Sequence, residues 1–144
     1  MTIFSKSRYR SMIICFILPI AFIFGNGESS DIKFEKVIDS LKTLRNRSPE
    51  RAIRYAREIL DDHGSNDLGH NESRILNTVG EIYLELNLPT LALSYFIDAN
   101  EKSAVKGKKP WISINIGNVY FQVEDWLSAK EKYFDALDAF SRRN

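Results

Sequence analysis

From Asp31 onward, apolar residues recur at the spacing of one helical face, and short polar breaks separate the segments. The first segment places Phe34, Val37, Ile38 and Leu41 at positions i, i+3, i+4 and i+7. Proline or a capping residue opens each later segment, at Ser48–Pro49, Asn71, Pro89, Pro110 and Asp125. No segment alternates apolar and polar residues as a strand would. The pattern predicts six helices and an all-α fold.

The six predicted helices pair as three hairpins, at about residues 31–62, 72–105 and 110–142. The last two hairpins carry one motif twice, with corresponding residues 37 positions apart. The first copy is Leu76, Val79, Gly80, Tyr83, Ala92, Phe96 and Ala99, and the second is Ser113, Ile116, Gly117, Tyr120, Ala129, Tyr133 and Ala136. Repetition at such a period is typical of stacked helical hairpins. The first hairpin aligns through Pro49 and Ala52 but lacks the glycine and the tyrosine, which predicts a degenerate repeat.

The two motif glycines indicate a close contact between helices. Glycine inside a helix costs about 1 kcal/mol relative to alanine, so a compensating interaction is expected at both positions. We expect Gly80 to lie near Ala92 and Gly117 near Ala129, where small side chains let the two helices of a hairpin approach. The aromatic residues of the motif would fill the wider spaces, and its last alanine would approach the next hairpin.

The motif resembles the tetratricopeptide repeat, W-x2-L-G-x2-Y…A-x3-F…P. Val79-Gly80-x2-Tyr83 followed by Ala92-x3-Phe96 fits it, and the second copy fits with tyrosine in place of the phenylalanine. The period is 37 residues rather than 34. The tryptophan and proline positions hold Leu76, Ala104, Ser113 and Ser141. The resemblance implies a right-handed solenoid of three helical hairpins, whose first helices line a concave groove that binds a protein or peptide.

In that groove the resemblance places residues of the third and fifth helices. The predicted partner contacts are Arg74, Asn77, Glu81, Asn115, Asn118, Phe121 and Gln122, with Thr78, Glu85 and Ile114 exposed beside them. Asn115 stands where peptide-binding relatives often place asparagine, whose amide both donates and accepts hydrogen bonds. The alternative is that Asn115 satisfies the backbone of a neighbouring helix. The carboxylate clamp of chaperone-binding relatives is not expected, because Asn77, Glu81 and Ile114 stand at its positions.

Residues 1–27 are predicted to be a cleavable signal peptide, followed by a repeat domain over 28–144. Lys6, Arg8 and Arg10 precede the uncharged apolar run 12–24, and small polar residues follow it. The run has 13 residues, whereas a membrane-spanning helix needs ~20. The sequence therefore predicts export to a periplasmic or secreted location. The alternative is an uncleaved leader that anchors the chain to a membrane through residues 12–24.

Composition and motifs argue against nucleic-acid binding, metal binding or catalysis by this chain. The net charge is +1, and about −2 without the leader, so no nucleic-acid partner is expected. Cys15, the only cysteine, lies in the leader, which leaves no thiolate ligand or nucleophile in the mature chain. The polar loop 61–72 approaches a calcium-loop spacing, but Asn66 stands at the glycine position, and His63 and His70 lack a short zinc spacing. We predict no catalytic site, metal or cofactor.

The last helix carries apolar residues on more than one side: Trp126, Leu127, Tyr133, Phe134, Leu137 and Phe140. Repeat arrays need polar terminal faces to stay soluble, so this edge is expected to be covered by another molecule or a second copy. The resulting hypothesis is a scaffold that binds a protein or peptide. The alternative hypothesis is a sensory input module of a membrane signal-transduction system, of the histidine kinase or diguanylate cyclase type, without its output domain.

The apolar last helix predicts that the mature protein self-associates. Light scattering of the purified protein should give a mass above that of the monomer that rises with concentration, because paired edges remove apolar surface from water. A monodisperse monomer at high concentration would contradict this expectation.

Overall fold

A computed structural model describes residues 30–63, 68–103 and 109–142, and every regular element in these ranges is an α-helix. The helices are α1 (Ser30–Arg47), α2 (Pro49–Asp62), α3 (His70–Glu85), α4 (Pro89–Ser103), α5 (Pro110–Gln122) and α6 (Trp126–Ser141). The predicted all-α class is confirmed. The described residues from Phe34 onward belong to one compact unit.

The predicted leader, residues 1–27, and the alternative anchor, residues 12–24, lie outside the described residues. Within the described ranges, no helix has the length and apolar character needed to cross a membrane. The structure therefore concerns the repeat region alone.

The connection between the first two hairpins is shorter than predicted. The sequence predicted a loop over 61–72 and a cap at Asn71, but α2 continues to Asp62 and α3 begins at His70. Asn71 and Glu72 are buried in the first turn of α3, and Leu68 before it is buried as well. Glu72 is ion-paired with Lys102 of α4, at 2.8 Å between Oε1 and Nζ. Because these polar residues are buried with partners, hydropathy alone could not reveal this part of the helix.

The other two predicted side-chain caps, Ser48 and Asp125, behave differently from each other. Asp125 caps α6 as expected, since one carboxylate oxygen accepts a hydrogen bond from the Ser128 amide at 3.1 Å and the other accepts from the Ser128 hydroxyl at 2.7 Å. These bonds lower the pKa of Asp125. Ser48 occupies the position before α2, but its side chain makes no capping bond. The backbone carbonyl of Ser48 accepts instead from the amide of Ala52, at 3.1 Å.

The turns inside the second and third hairpins repeat each other in backbone geometry. Asn87 and Glu124, which are 37 residues apart, both adopt left-handed φ angles, 58° and 63°. In each turn the next amide donates back across the helix end to the carbonyl of the motif tyrosine. Leu88 donates to Tyr83 and Asp125 donates to Tyr120, both at 2.9 Å. This is the Schellman arrangement, which satisfies carbonyl groups that the helix end leaves without partners.

Two hydrophobic clusters form the core. The first joins α1, α2 and α3 through Phe34, Val37, Ile38, Leu41, Ala56, Leu68, Ile75 and Val79. The second joins α3, α4 and α5 through Leu76, Ala92, Phe96, Ala99, Ile112, Ile116 and Val119. Leu60, Tyr83 and Tyr95 pack against both clusters, and the two tyrosine rings stack with centroids 5.3 Å apart. The core is therefore continuous from the first hairpin to α5.

Each motif glycine lies against the edge of an aromatic ring in the second helix of its hairpin. A Cβ atom at Gly80 would stand 2.6 Å from a ring carbon of Phe96, and one at Gly117 would stand 2.6 Å from a ring carbon of Tyr133. The expected neighbours, Ala92 and Ala129, are not the closest atoms, so that detail of the prediction is wrong. The alanines lie one helical turn before the rings, and the missing side chain makes room for the ring rather than for a methyl group.

The two glycines should respond differently to alanine. We expect Gly80→Ala to lower the free energy of unfolding by about 1–3 kcal/mol, because the fully buried Phe96 ring has no room to move. Gly117→Ala should change it by less than about 1 kcal/mol, since Tyr133 is 37% exposed and can turn outward while alanine improves helix propensity. Urea unfolding followed by circular dichroism measures both. A larger loss at Gly117 than at Gly80 would contradict this explanation.

Candidate functional site

A polar network connects α1, α3 and α5, the first helices of the three hairpins, and it begins at Arg45 of α1. Its guanidinium group forms ion pairs with Glu81 and Glu85 of α3, and its Nε donates to Oε2 of Glu85 at 2.9 Å. The hydrogen bond from Arg45 lowers the pKa of Glu85, and the same bond raises the pKa of Arg45. One guanidinium group of the first hairpin thus bridges two carboxylates of α3.

The network continues into α5 through two asparagines. The Asn115 amide nitrogen donates to Oδ1 of Asn77 at 2.9 Å and to Oε1 of Glu81 at 3.2 Å. Asn77 in turn donates to the same oxygen of Glu81 at 2.8 Å. Glu81 therefore accepts from α1, from its own helix and from α5. Hydrogen bonds join the first helices of all three hairpins.

Two residues of α3 that were predicted to be exposed in the groove are buried. Asn77 is only 7% exposed and Thr78 is also buried, so the prediction that both are exposed is wrong. The hydroxyl of Thr78 donates to the carbonyl of Arg74 at 3.0 Å, and Arg74 forms an ion pair with Glu35 of α1. Asn115 bonds to two side chains of α3, whereas the alternative expected the backbone of a neighbouring helix. Neighbouring first helices supply complementary groups, which single-sequence reasoning could not pair.

The remaining predicted contacts lie nearer the end of α5. Asn118 is exposed, and its side-chain oxygen Oδ1 accepts a hydrogen bond from the hydroxyl of Tyr133 at 2.9 Å. Gln122 donates to the side chain of Asn87 in the preceding turn at 2.6 Å. Phe121 is different, because 56% of its surface is exposed and its ring meets Trp126 edge to face, with centroids 4.9 Å apart. Phe121 belongs to an open apolar surface.

That surface is an apolar groove between the end of α5 and the outer face of α6. The groove has a volume of about 340 Å³ and is lined by Phe121, Trp126, Ala129, Lys130, Tyr133, Phe134 and Leu137. Leu137 is 61% exposed, and Leu127 beside the groove is 79% exposed. Nζ of Lys130 lies 5.9 Å from the ring centroid of Phe134. Exposed apolar surface of this kind commonly marks a site of interaction. We call it the α5–α6 groove.

Two further findings concern the polar side chains of the described ranges. No group of three His, Cys, Asp or Glu side chains in the described ranges could hold a metal ion. Every buried side-chain nitrogen and oxygen that the structure describes has a hydrogen-bond partner. The polar residues are thus accounted for by packing between helices.

Comparisons with known proteins returned no match: no family model, no curated protein and no solved structure is significantly similar to this chain. The tetratricopeptide resemblance therefore rests on the repeated motif.

The ion pairs of Arg45 should make stability depend on pH. Because the pKa of Glu85 is lowered in the folded protein, its contribution is present above the ordinary carboxyl pKa, near 4, and is lost as the pH falls through the lower folded value. Arg45→Met should destabilise the protein at pH 7 by about 1 kcal/mol, since solvent screens the half-exposed Glu85. The difference from wild type should shrink in acid.

Lys42→Met is the matched control, because it removes the same charge from an exposed position of α1. Thermal unfolding of the three proteins between pH 7 and pH 3 provides the measurement. If Arg45→Met and Lys42→Met behave alike at every pH, the network does not contribute to stability.

Proposed function

We propose that this chain is a protein-binding module of the tetratricopeptide-like type, a short right-handed solenoid of helical hairpins that acts by holding a partner. Three features recur at 37 residues and support the repeat: the sequence motif, the left-handed turn residue, and the contact between a glycine and an aromatic ring. Given the predicted leader, we place this activity in an extracytoplasmic compartment.

The observation that carries the proposal is the exposed apolar α5–α6 groove. Phe121 and Trp126 are each 56% exposed, and aromatic residues of this kind are enriched at energetically important interface positions. In contrast, every exposed residue that the structure describes in α1 and α2 is polar or charged. Leu86, Leu88, Leu91 and Ile97 of the second hairpin are also exposed, but every exposed aromatic residue of the described ranges lies in α5 or α6. Covering this aromatic surface would therefore release the most free energy.

The polar network favours this groove over the concave surface of α3. A peptide that used Asn115 or Glu81 would have to replace hydrogen bonds already made between helices. Replacing satisfied hydrogen bonds returns little net free energy, whereas covering exposed aromatic rings returns more. Of the contacts predicted from the sequence, Phe121 is the one that lies in the favoured surface.

A photo-crosslinking amino acid at position 121 tests this function. Introduced in the source cells, it should form covalent adducts with a partner protein, because Phe121 lies in the groove. The same amino acid at position 54, exposed on the polar face of α2, is the control and should give none. Adducts in equal yield from both positions, or from neither, would contradict binding through the groove.

A further inference from the structure

The α5–α6 groove of the third hairpin corresponds, 37 residues later, to a surface of the second hairpin that another helix covers. Its lining residues Phe121, Ala129, Lys130 and Tyr133 stand 37 positions after Leu84, Ala92, Leu93 and Phe96. All four earlier residues belong to the second hydrophobic cluster or pack directly against it. Phe121, Lys130 and Tyr133 are therefore exposed at positions whose counterparts in the second hairpin are buried or half-buried, whereas Ala92 and Ala129 are buried in both.

A helix, α5, covers the earlier surface. α5 contributes Ile112, Ile116 and Val119 to the second cluster, and each of the three is at most 8% exposed. Their spacing of i, i+4 and i+7 places them on one face of the helix. The occupant of the earlier surface is thus a helix that packs a row of branched aliphatic residues against the preceding hairpin.

We infer that the α5–α6 groove binds an amphipathic α-helix of a partner protein, with apolar residues spaced like those of α5. The inference rests on the proposed binding function and specifies its ligand. The groove continues an interface that the chain already makes, because Ala129 and Tyr133 keep the small and large residues of Ala92 and Phe96. Helix-in-groove binding of this kind is a recurrent mode of recognition.

The first hairpin of a second copy does not supply such a helix. The exposed positions of α1 are occupied by Lys33, Glu35, Lys36, Asp39, Ser40, Lys42, Thr43, Asn46 and Arg47. Those of α2 are likewise polar or charged, so head-to-tail stacking would press charged side chains into an apolar groove. The exposed apolar residues of α6 are mostly aromatic, so α6 of a second copy does not carry a row of branched aliphatic residues like that of α5 either. The helix is therefore expected from a different chain with an exposed aliphatic row.

Two of the differences between the groove and the corresponding surface of the second hairpin indicate the partner's chemistry. Lys130 takes the place of Leu93, which introduces a cation at the groove, and Leu137 takes the place of Asn100, which enlarges the apolar surface. A partner helix that pairs an acidic residue with Lys130 would compensate the cation. The groove thus fits a helix with a wide aliphatic face and an acidic residue at its border.

The α5 sequence itself provides the probe. A fluorescent, end-capped peptide of residues 109–122 should bind the full chain, detected as a rise in anisotropy. Leu137→Glu, inside the groove, should weaken binding by about tenfold or more, because it places a charge on the apolar face. Leu127→Glu makes the same change on the same helix outside the groove lining, and it should leave the affinity within about twofold.

Lys130→Leu provides a gain-of-function test. It restores the leucine of the internal interface, so the uncharged α5 face should bind this variant at least about threefold more tightly than wild type. A peptide with Ile116→Asp should bind neither protein. Because loss of folding cannot strengthen binding, an increase at Lys130→Leu supports the assigned register, and its absence would overturn that register.

Other outcomes separate this inference from the proposed function. If the peptide binds neither wild type nor Lys130→Leu while position 121 still forms crosslinks to a partner, the groove binds protein but its ligand is not this kind of helix. If the chain forms a dimer that Leu137→Glu abolishes, Leu127→Glu preserves and the peptide does not displace, a second copy is the occupant. Either result would overturn the inference.

Discussion

The edge of an aromatic ring against a helical glycine sets the spacing within the second and third hairpins. Phe96 meets Gly80, and Tyr133 meets Gly117, at positions where any side-chain carbon would overlap the ring. In a close-packed interior such an overlap can be relieved only by moving a helix or a ring. The separation of α3 from α4, and of α5 from α6, therefore depends on a missing side chain, and so does the surface that each hairpin offers to its neighbour.

The two rings have different surroundings, because α5 packs over the ring of the second hairpin and no described helix packs over the ring of the third. Phe96 is covered by the second cluster, which includes three residues of α5. Tyr133 occupies the equivalent position, but its ring lines the α5–α6 groove and its hydroxyl bonds to Asn118. A hydroxyl is suited to a position that touches water, whereas phenylalanine is suited to one that does not.

The polar network fixes the relative placement of the first helices, as the ring–glycine contacts do within the second and third hairpins. Glu81 receives hydrogen bonds from three side chains on three helices, which fixes how α1, α3 and α5 lie next to one another. A partly buried carboxylate needs such partners, because its desolvation is unfavourable without them. The network therefore orders the polar face of the array, whereas α6 presents an exposed apolar face.

The sequence by itself determined the six helices, the period of 37 residues and the special role of the two glycines. Each of these depends on local chemistry: helical periodicity, proline and capping residues, and the cost of glycine within a helix. Only the tertiary structure decided that the rings rather than the alanines approach the glycines, and that Asn77 and Thr78 are buried. It also paired Arg45, Glu81 and Asn115, which are far apart in the chain. Those contacts depend on the relative placement of helices, and no periodicity within one helix records that placement.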